Sequence, residues 1–421
     1  MIFLYRSLTF ILFPLFVIIT YLRKFKGKED KLRFKEKIFI GETQLPKNKK
    51  IIWIHAASIG ETNSIFPLIK EIIKHDNKIF ILLTTTTVSS SDLIKKKKLN
   101  KENFQHRFFT LDVNFLVKKF LDHWRPEIVV FVDSEVWPNY LFEIKKRKIP
   151  LILANGRITS KTFKRWRMIK NFSNKLFGLY DLCLSSSKES ESNLKLLGAR
   201  KVKYLGNLKF CPSNNNTNEV EDFRILFKDT LVWCAASTHP DEEEIILNTH
   251  VKLKEKNIKV LTIIIPRHIT RSKEILKLCE GINLNTKIIE SFDDLSNSHE
   301  VLVVNSIGEM SKYFYNCKSI FMGKSLSKKL IEVGGQNPVE PAKCGCKIYH
   351  GPFISNFKEI YDLLESKNIS YLIKDAIDLS EYLIKDFSDK SIDFKNNIKE
   401  LDEYGNKILN LTVKEVLSFK K

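Results

Sequence analysis

At 421 residues, with 43% hydrophobic and 28% charged side chains, the chain has room for two or three packed domains. This composition excludes a disordered chain and a many-span membrane protein, and 15 Gly with 12 Pro exclude collagen-like or low-complexity architecture. The net charge of +21 attracts phosphate polyanions, but heavy Lys, Ile and Asn use is what a drifted genome composition produces, and the placement of the charge favours a membrane over a nucleic acid.

Residues 7–22 carry no charge and are dominated by Leu, Phe and Ile, while residues 23–37 hold eight basic side chains against three acidic ones. The apolar run is slightly short of a full bilayer span, but residues 1–5 extend it and Arg6 can snorkel. The charge follows the apolar run, which is the reverse of a cleaved signal peptide, and no small-residue cleavage site appears. The expectation is one membrane anchor over 1–22 with the bulk of the chain on the cytoplasmic side.

From residue 51 short apolar runs alternate with amphipathic ones, predicting strands over 51–55, 78–83, 127–132 and 150–154 and helices over 62–75 and 140–148. Between Arg157 and Asp181 no acidic residue occurs, and Lys161, Lys164, Arg165, Arg167 and Lys170 interleave with Phe163, Trp166 and Phe172. Two readings stand open there: aromatics dipping into lipid headgroups, or a helix with one solvated face.

The polar stretch 211–222 reads as a linker, after which the plan restarts with strands over 231–234, 259–265, 301–304, 319–322 and 347–349 and a helix over 242–256. Both halves open with a strand, Ala-Ala-Ser and a helix (Ala56, Ala57, Ser58; Ala235, Ala236, Ser237). The expected fold is α/β: two doubly wound Rossmann-like domains facing a cleft, with ligands at the carboxyl ends of parallel strands. The seven cysteines are odd in number and scattered, and Cys344 and Cys346 lack metal-ligand spacing, so they read as reduced thiols with no metal site and no cofactor.

Several loops carry candidate chemistry. Ser58 and Glu61 stand at capping-box spacing, so Glu61 reads either as a cap or as a general base, the second requiring burial that lifts its pKa toward neutrality. Asp133 and Glu135 end a strand ahead of Trp137-Pro138, and Lys209 precedes the linker. In the second half Ser237, Thr238 and His239 precede a helix, Pro266, Arg267 and His268 end a strand, and residues 305–309 and 334–340 lead from strand into helix. Four such loops on one sheet edge point to a nucleotide-phosphate site, while no Walker or G-x-G-x-x-G motif marks an ATPase or dehydrogenase.

Taken in order, IWIHAASIGE, SEVWPN, NGRITS, LGNLKF, ASTHPDEE, IIPRH, IGEM, GGQNPVEPA and GPFISNF behind an apolar anchor resemble the 3-deoxy-D-manno-octulosonate (Kdo) transferases of lipopolysaccharide synthesis. The resemblance covers nearly the whole chain. It implies a GT-B fold with an anchor (1–22), an acceptor-binding domain (23–210), a linker (211–222) and a nucleotide-donor domain (223–421) whose last helix returns to the first. It implies an inverting, metal-independent transfer from CMP-Kdo to the lipid A precursor, lipid IVA, at the inner membrane among anionic lipids. Glu61 matches the family's proposed base, and Glu135 and Lys209 match positions that support the transition state. Pro266 and Arg267, then Gly308, Glu309 and Met310, then Asn337, Pro338, Val339 and Glu340 match donor-nucleotide contacts, to which Ser237 and Thr238 are added. The chain departs from the family pattern at Asp133, Gly156, Asn305 and Gln336. Alternatives are a GT-B transferase using another nucleotide sugar, or a non-catalytic protein binding anionic lipid.

Overall fold

Apolar runs that are buried on both faces become the inner strands of two parallel sheets. The computed structural model describes the chain except residues 40–44, 47, 98, 213–221, 228, 292–293, 296–297, 307–309, 332, 390–394 and 421. Most of the expected linker over 211–222 therefore lies outside the described residues. The chain divides into two units, one comprising Met1–Asn214 with Tyr404–Lys421 and the other Asn215–Glu403.

In the first unit the strands are β1 (Lys50–His55), β2 (Ile79–Thr85), β3 (Phe104–Phe108), β4 (Ile128–Val132), β5 (Leu151–Gly156), β6 (Leu182–Ser185) and β7 (Val202–Tyr204). Their order is β3-β2-β1-β4-β5-β6-β7, and every pairing is parallel. Trp53 of β1 is fully buried, packed on Phe120 at 4.7 Å, Tyr140 at 5.2 Å and Phe131 at 5.4 Å, with its indole N–H donating to Thr84 Oγ1 at 2.9 Å. Sheet order reverses between β1 and β4, which opens a crevice at their carboxyl ends.

The amino-terminal segment is two helices, Ile2–Ile11 and Phe13–Phe25, bent by 54°. This corrects the single helix expected over 1–22. Pro14 lacks an N–H to bond the preceding turn, and the chain breaks there. The polar side chains of the pair face the unit. Tyr5 Oη donates to Asp112 Oδ2 at 2.8 Å, Arg6 Nη2 to Glu143 Oε1 at 2.9 Å, and Thr9 and Thr20 are buried. Many of its apolar side chains face out: Phe3, Phe10, Ile11 and Phe25 are 80, 66, 72 and 82% exposed. No single described helix is long and apolar enough to cross a membrane; only the bent pair together has that length and composition.

The helices Ser160–Arg167 and Lys170–Phe177 settle the two readings of that basic stretch. Phe163 and Trp166 pack against the core, Trp166 edge-on to the buried Phe177 at 5.5 Å, and Phe172 is buried. Lys161, Lys164, Arg165, Arg167 and Lys170 form the exposed face, with Met168 and Ile169 as exposed apolar residues on it. The aromatics are therefore not free to enter headgroups.

The last helix, Lys395–Leu417, brings Gly405 against the backbone of Phe210 so closely that an added Cβ would lie 1.9 Å from its carbonyl oxygen. Tyr404 meets Phe210 ring-to-edge at 5.4 Å, and Lys203 pairs with Glu415 at 2.5 Å.

The second unit holds β8 (Leu231–Thr238), β9 (Val260–Pro266), β10 (Thr286–Ile289), β11 (Val301–Val304), β12 (Ser319–Met322), β13 (Lys347–His350) and β14 (Ser370–Leu372). Their order is β10-β11-β9-β8-β12-β13-β14, again parallel, with the reversal between β8 and β12. None of the seven cysteines is in a disulfide, and six of them are buried.

Candidate active site

At the first unit's crevice, Ser58 caps the helix Ile59–His75 and Glu61 sits in its first turn. Ser58 Oγ donates to Glu61 Oε1 at 2.7 Å, the Ala57 N–H donates to Oε2 at 2.8 Å, and the Glu61 N–H donates back to Ser58 Oγ at 3.3 Å. The capping box is therefore formed. Burial nevertheless raises the Glu61 carboxyl to about 7, the neighbouring charges of Asp133 and Glu135 adding to it and the Ser58 and Ala57 hydrogen bonds opposing it. Capping alone would have kept the carboxylate a weak base; burial beside two further acids outweighs it.

Asp133 and Glu135 follow β4 directly. Asp133 adopts a left-handed φ of 65°, its N–H donating to Ala154 O at 3.0 Å and its carbonyl accepting from Arg157 N at 3.1 Å. Burial raises its carboxyl, against the pull of Lys209 and Arg157. Glu135 Oε2 accepts from the Trp137 indole at 2.6 Å and lies 3.3 Å from His55 Nε2. Lys209 is delivered by a loop that side chains hold in place: Asn155 Oδ1 accepts from Leu208 N at 2.9 Å and Asn207 Oδ1 from Lys209 N at 3.0 Å. Burial lowers the Lys209 ammonium pKa, Asp133 and Glu61 opposing that shift and Arg157 adding to it. Glu61, Glu135 and Lys209, singled out from sequence, thus share one charged cluster with Asp133. His55, Asn155 and Arg157 were not singled out, although each stands at or next to a strand's carboxyl end inside a quoted motif.

In the second unit Ser237 and Thr238 end β8, Pro266 ends β9, and the Arg267 N–H donates to Thr238 O at 3.1 Å. Ser237, at φ 57°, points its hydroxyl to Met310 S at 3.9 Å. Gly308 and Glu309 lie outside the described residues. Asn337 Oδ1 accepts from Val339 N at 3.3 Å, Pro338 directly precedes the short helix Val339–Lys343, and that helix packs on Met310–Asn316. Burial raises the Glu340 carboxyl.

Glu242 ties the loops after β8 and β12 together. Fully buried, it accepts from His239 N at 3.0 Å, Lys324 N at 2.7 Å, Ser325 N at 2.7 Å and Leu326 N at 2.9 Å. Gly334 is required where it stands, because a Cβ there would lie 2.1 Å from Phe353 O. Burial lowers the His239 pKa; the Ser237 carbonyl opposes this, and the charges of Lys324, His268 and Arg267 add to it. Four cationic or titratable nitrogen groups therefore stand near one another at the reversal point. That grouping suits a phosphate. Lys324, at φ 61° in the G-K-S turn after β12, is the member missed in the sequence. Among the described residues no cluster of three His, Cys, Asp or Glu is arranged to hold a metal ion.

Two doubly wound parallel-sheet units, each with its polar groups gathered where strand order reverses, make up a GT-B fold. Consistent with that fold, Anabaena HepE in complex with UDP superposes with a TM-score of 0.59 at 13% identity, covering 88% of this chain and 99% of that one. A 3-deoxy-D-manno-octulosonic acid transferase of Rickettsia bellii is 31% identical over 415 residues, 95% of this chain and 97% of the relative. The Haemophilus influenzae enzyme of the same name is 29% identical over 369 residues, 86 and 84% of the two chains. Residues 32–211 match the family described as 3-deoxy-D-manno-octulosonic-acid transferase (kdotransferase). The chain belongs to the Kdo transferase family, and its activity is Kdo transfer in lipopolysaccharide synthesis.

Proposed function

We propose that the chain moves Kdo from CMP-Kdo to the acylated glucosamine disaccharide lipid IVA, with inversion and without a metal, at the cytoplasmic face of the inner membrane. The observation that carries this reading is the Glu61 carboxyl, restrained by Ser58 and Ala57 and raised to about 7. A carboxylate with that affinity for a proton is suited to general-base work near neutral pH. Glu61 accepts the proton of the acceptor hydroxyl as its oxygen bonds to the anomeric carbon. The bond from that carbon to the CMP phosphate breaks, and CMP leaves with the electron pair.

The remaining roles follow from charge. Lys209 and Glu135 stabilise the transition state in the first unit. In the second, Ser237, Thr238, Pro266, Arg267, Met310 and Asn337–Glu340, with Gly308 and Glu309, bind the nucleotide, and the positive charges of Arg267 and Lys324 offset the leaving phosphate. Exposed Phe3, Phe10, Ile11 and Phe25 support a membrane seat for the amino-terminal helices, and the basic face from Lys161 to Lys170 supports contact with lipid phosphates.

The test is an assay of detergent-solubilised protein with freshly made CMP-Kdo and tetraacylated lipid A precursor, read by mass spectrometry with and without EDTA. Products heavier by one or more Kdo masses, unaffected by EDTA, are expected. Glu61→Gln should lose about 10²–10⁴ in turnover while still binding donor. Near-normal turnover in that variant removes Glu61 as the base.

A further inference from the structure

His55 is fully buried at the end of β1, its ring stacked on Phe109 at a centroid distance of 3.8 Å and edge-on to Phe131 at 5.6 Å. Nothing in the reaction as described uses it. Its two nitrogens face different partners. Nδ1 lies 3.0 Å from the Thr84 carbonyl oxygen, which can only accept, so Nδ1 carries a hydrogen. The Thr84 hydroxyl, also 3.0 Å away, already accepts from the Trp53 indole. Nε2 has no hydrogen-bond partner among the described residues, and Glu135 Oε2 lies within ion-pair reach at 3.3 Å. A bare Nε2 lone pair facing a carboxylate out of water is repulsive and leaves a buried polar atom unsatisfied. A second ring proton turns that repulsion into an ion pair.

We infer that His55 is a positioning residue for Glu135: its imidazolium pins the carboxylate at the end of β4 and supplies the positive charge that lets three acids stand together there. The inference rests on Glu61 being the base. With His55 charged, Glu61, Asp133 and Glu135 are met by His55, Lys209 and Arg157. The groups facing the pair from packed elements are Glu61 and Asp133 by charge, the Trp137 indole on Oε2 at 2.6 Å, and Tyr180, whose hydroxyl donates to the Glu135 carbonyl at 2.5 Å. Without the His55 charge the remaining carboxylates hold protons more tightly. The working form of Glu61 is the ionised one, so it would then appear only at higher pH.

The test is the pH profile of kcat/KM for Kdo transfer. In His55→Asn the rising limb moves up by about one unit, the shift expected for removing one nearby opposite charge, with a severalfold loss at the plateau. Glu135→Gln moves the limb down, and adding His55→Asn to it moves the limb no further. A limb that stays put in His55→Asn, or that moves equally in both backgrounds, overturns the inference. Should His55→Asn fail to fold, the unmodified protein labelled with ¹⁵N histidine answers the same question. The His resonance that changes in Glu135→Gln should show both ring nitrogens protonated at pH 7.5, and a neutral-ring pattern overturns the pair. This second readout needs no turnover, so loss of the His55–Glu135 pair and loss of Glu61 as base are told apart.

Discussion

Ser58 and Glu61 hold each other twice, hydroxyl to carboxylate at 2.7 Å and amide to hydroxyl at 3.3 Å, so one pair both starts a helix and restrains an acid raised to about 7. The two jobs oppose each other chemically. The hydroxyl's hydrogen bond favours the ionised form, and burial disfavours it.

Ser58→Ala separates them. Losing the donor raises Glu61 further, so the rising limb of the kcat/KM profile should move to higher pH, and losing the cap should lower stability by about 1 kcal/mol. Turnover across pH and urea denaturation read the two effects. A limb moving down contradicts the assignment.

Glu61 also carries a stability cost with a defined sign. Its folded value, about 7, lies above its ordinary 4.5, so the native state binds the proton more tightly across that window. Its contribution is whole below about 4.5 and is lost as pH rises through 7. Glu61→Gln should therefore be more stable than the natural protein at pH 8, on the order of 1–2 kcal/mol once solvent screening is allowed for, and no more stable at pH 4. Melting at the two pH values checks this, and a gain of equal size at both refutes it.

Arg267 and Lys324 differ in what their removal should do. Arg267→Ala should weaken CMP binding about tenfold or more with little change in melting, because a charge-assisted contact is lost from a strand end. Lys324 holds a left-handed φ of 61° without being glycine. Lys324→Gly should weaken CMP binding too, yet leave stability within about 1 kcal/mol, since relief at that φ offsets glycine's entropy. Titration with CMP alongside melting separates the pair.

Gly405→Ala places a methyl 1.9 Å from the Phe210 carbonyl oxygen, where backbone must move. A loss of about 1–3 kcal/mol is expected, and because Lys209 precedes Phe210 turnover should fall as well. A variant as stable and active as the natural protein would show that the two segments part without consequence.

Much of this architecture was legible because parallel strands covered on both faces are written as unbroken apolar runs, as in IVVFV of β4 and VLVV of β11. The edge strands β7 and β14 were not legible, since three residues such as VKY or SYL leave no pattern. Phe163 and Trp166 were visible, but the direction they face is set by packing that composition does not encode. Pro14 was present in the sequence and marks the break in the amino-terminal helices, a local rule that the surrounding apolar run obscured. Within the site, Glu61, Glu135 and Lys209 announced themselves by motif. His55 did not, because its significance is a 3.3 Å approach between residues on two different strands' ends.

Removing an apolar leader is the usual route to a better-behaved protein, and here it should have the opposite effect. Tyr5 and Arg6 are the partners of Asp112 and Glu143, two acids that are 7 and 1% exposed. A chain shortened to begin after Phe25 would shed its greasy outer face and uncover Asp112, already raised to about 6, with one hydrogen bond fewer. The amino-terminal helices are a lid on buried acids as much as an exposed apolar face, and solubility gained by cutting them would be solubility of a looser first unit.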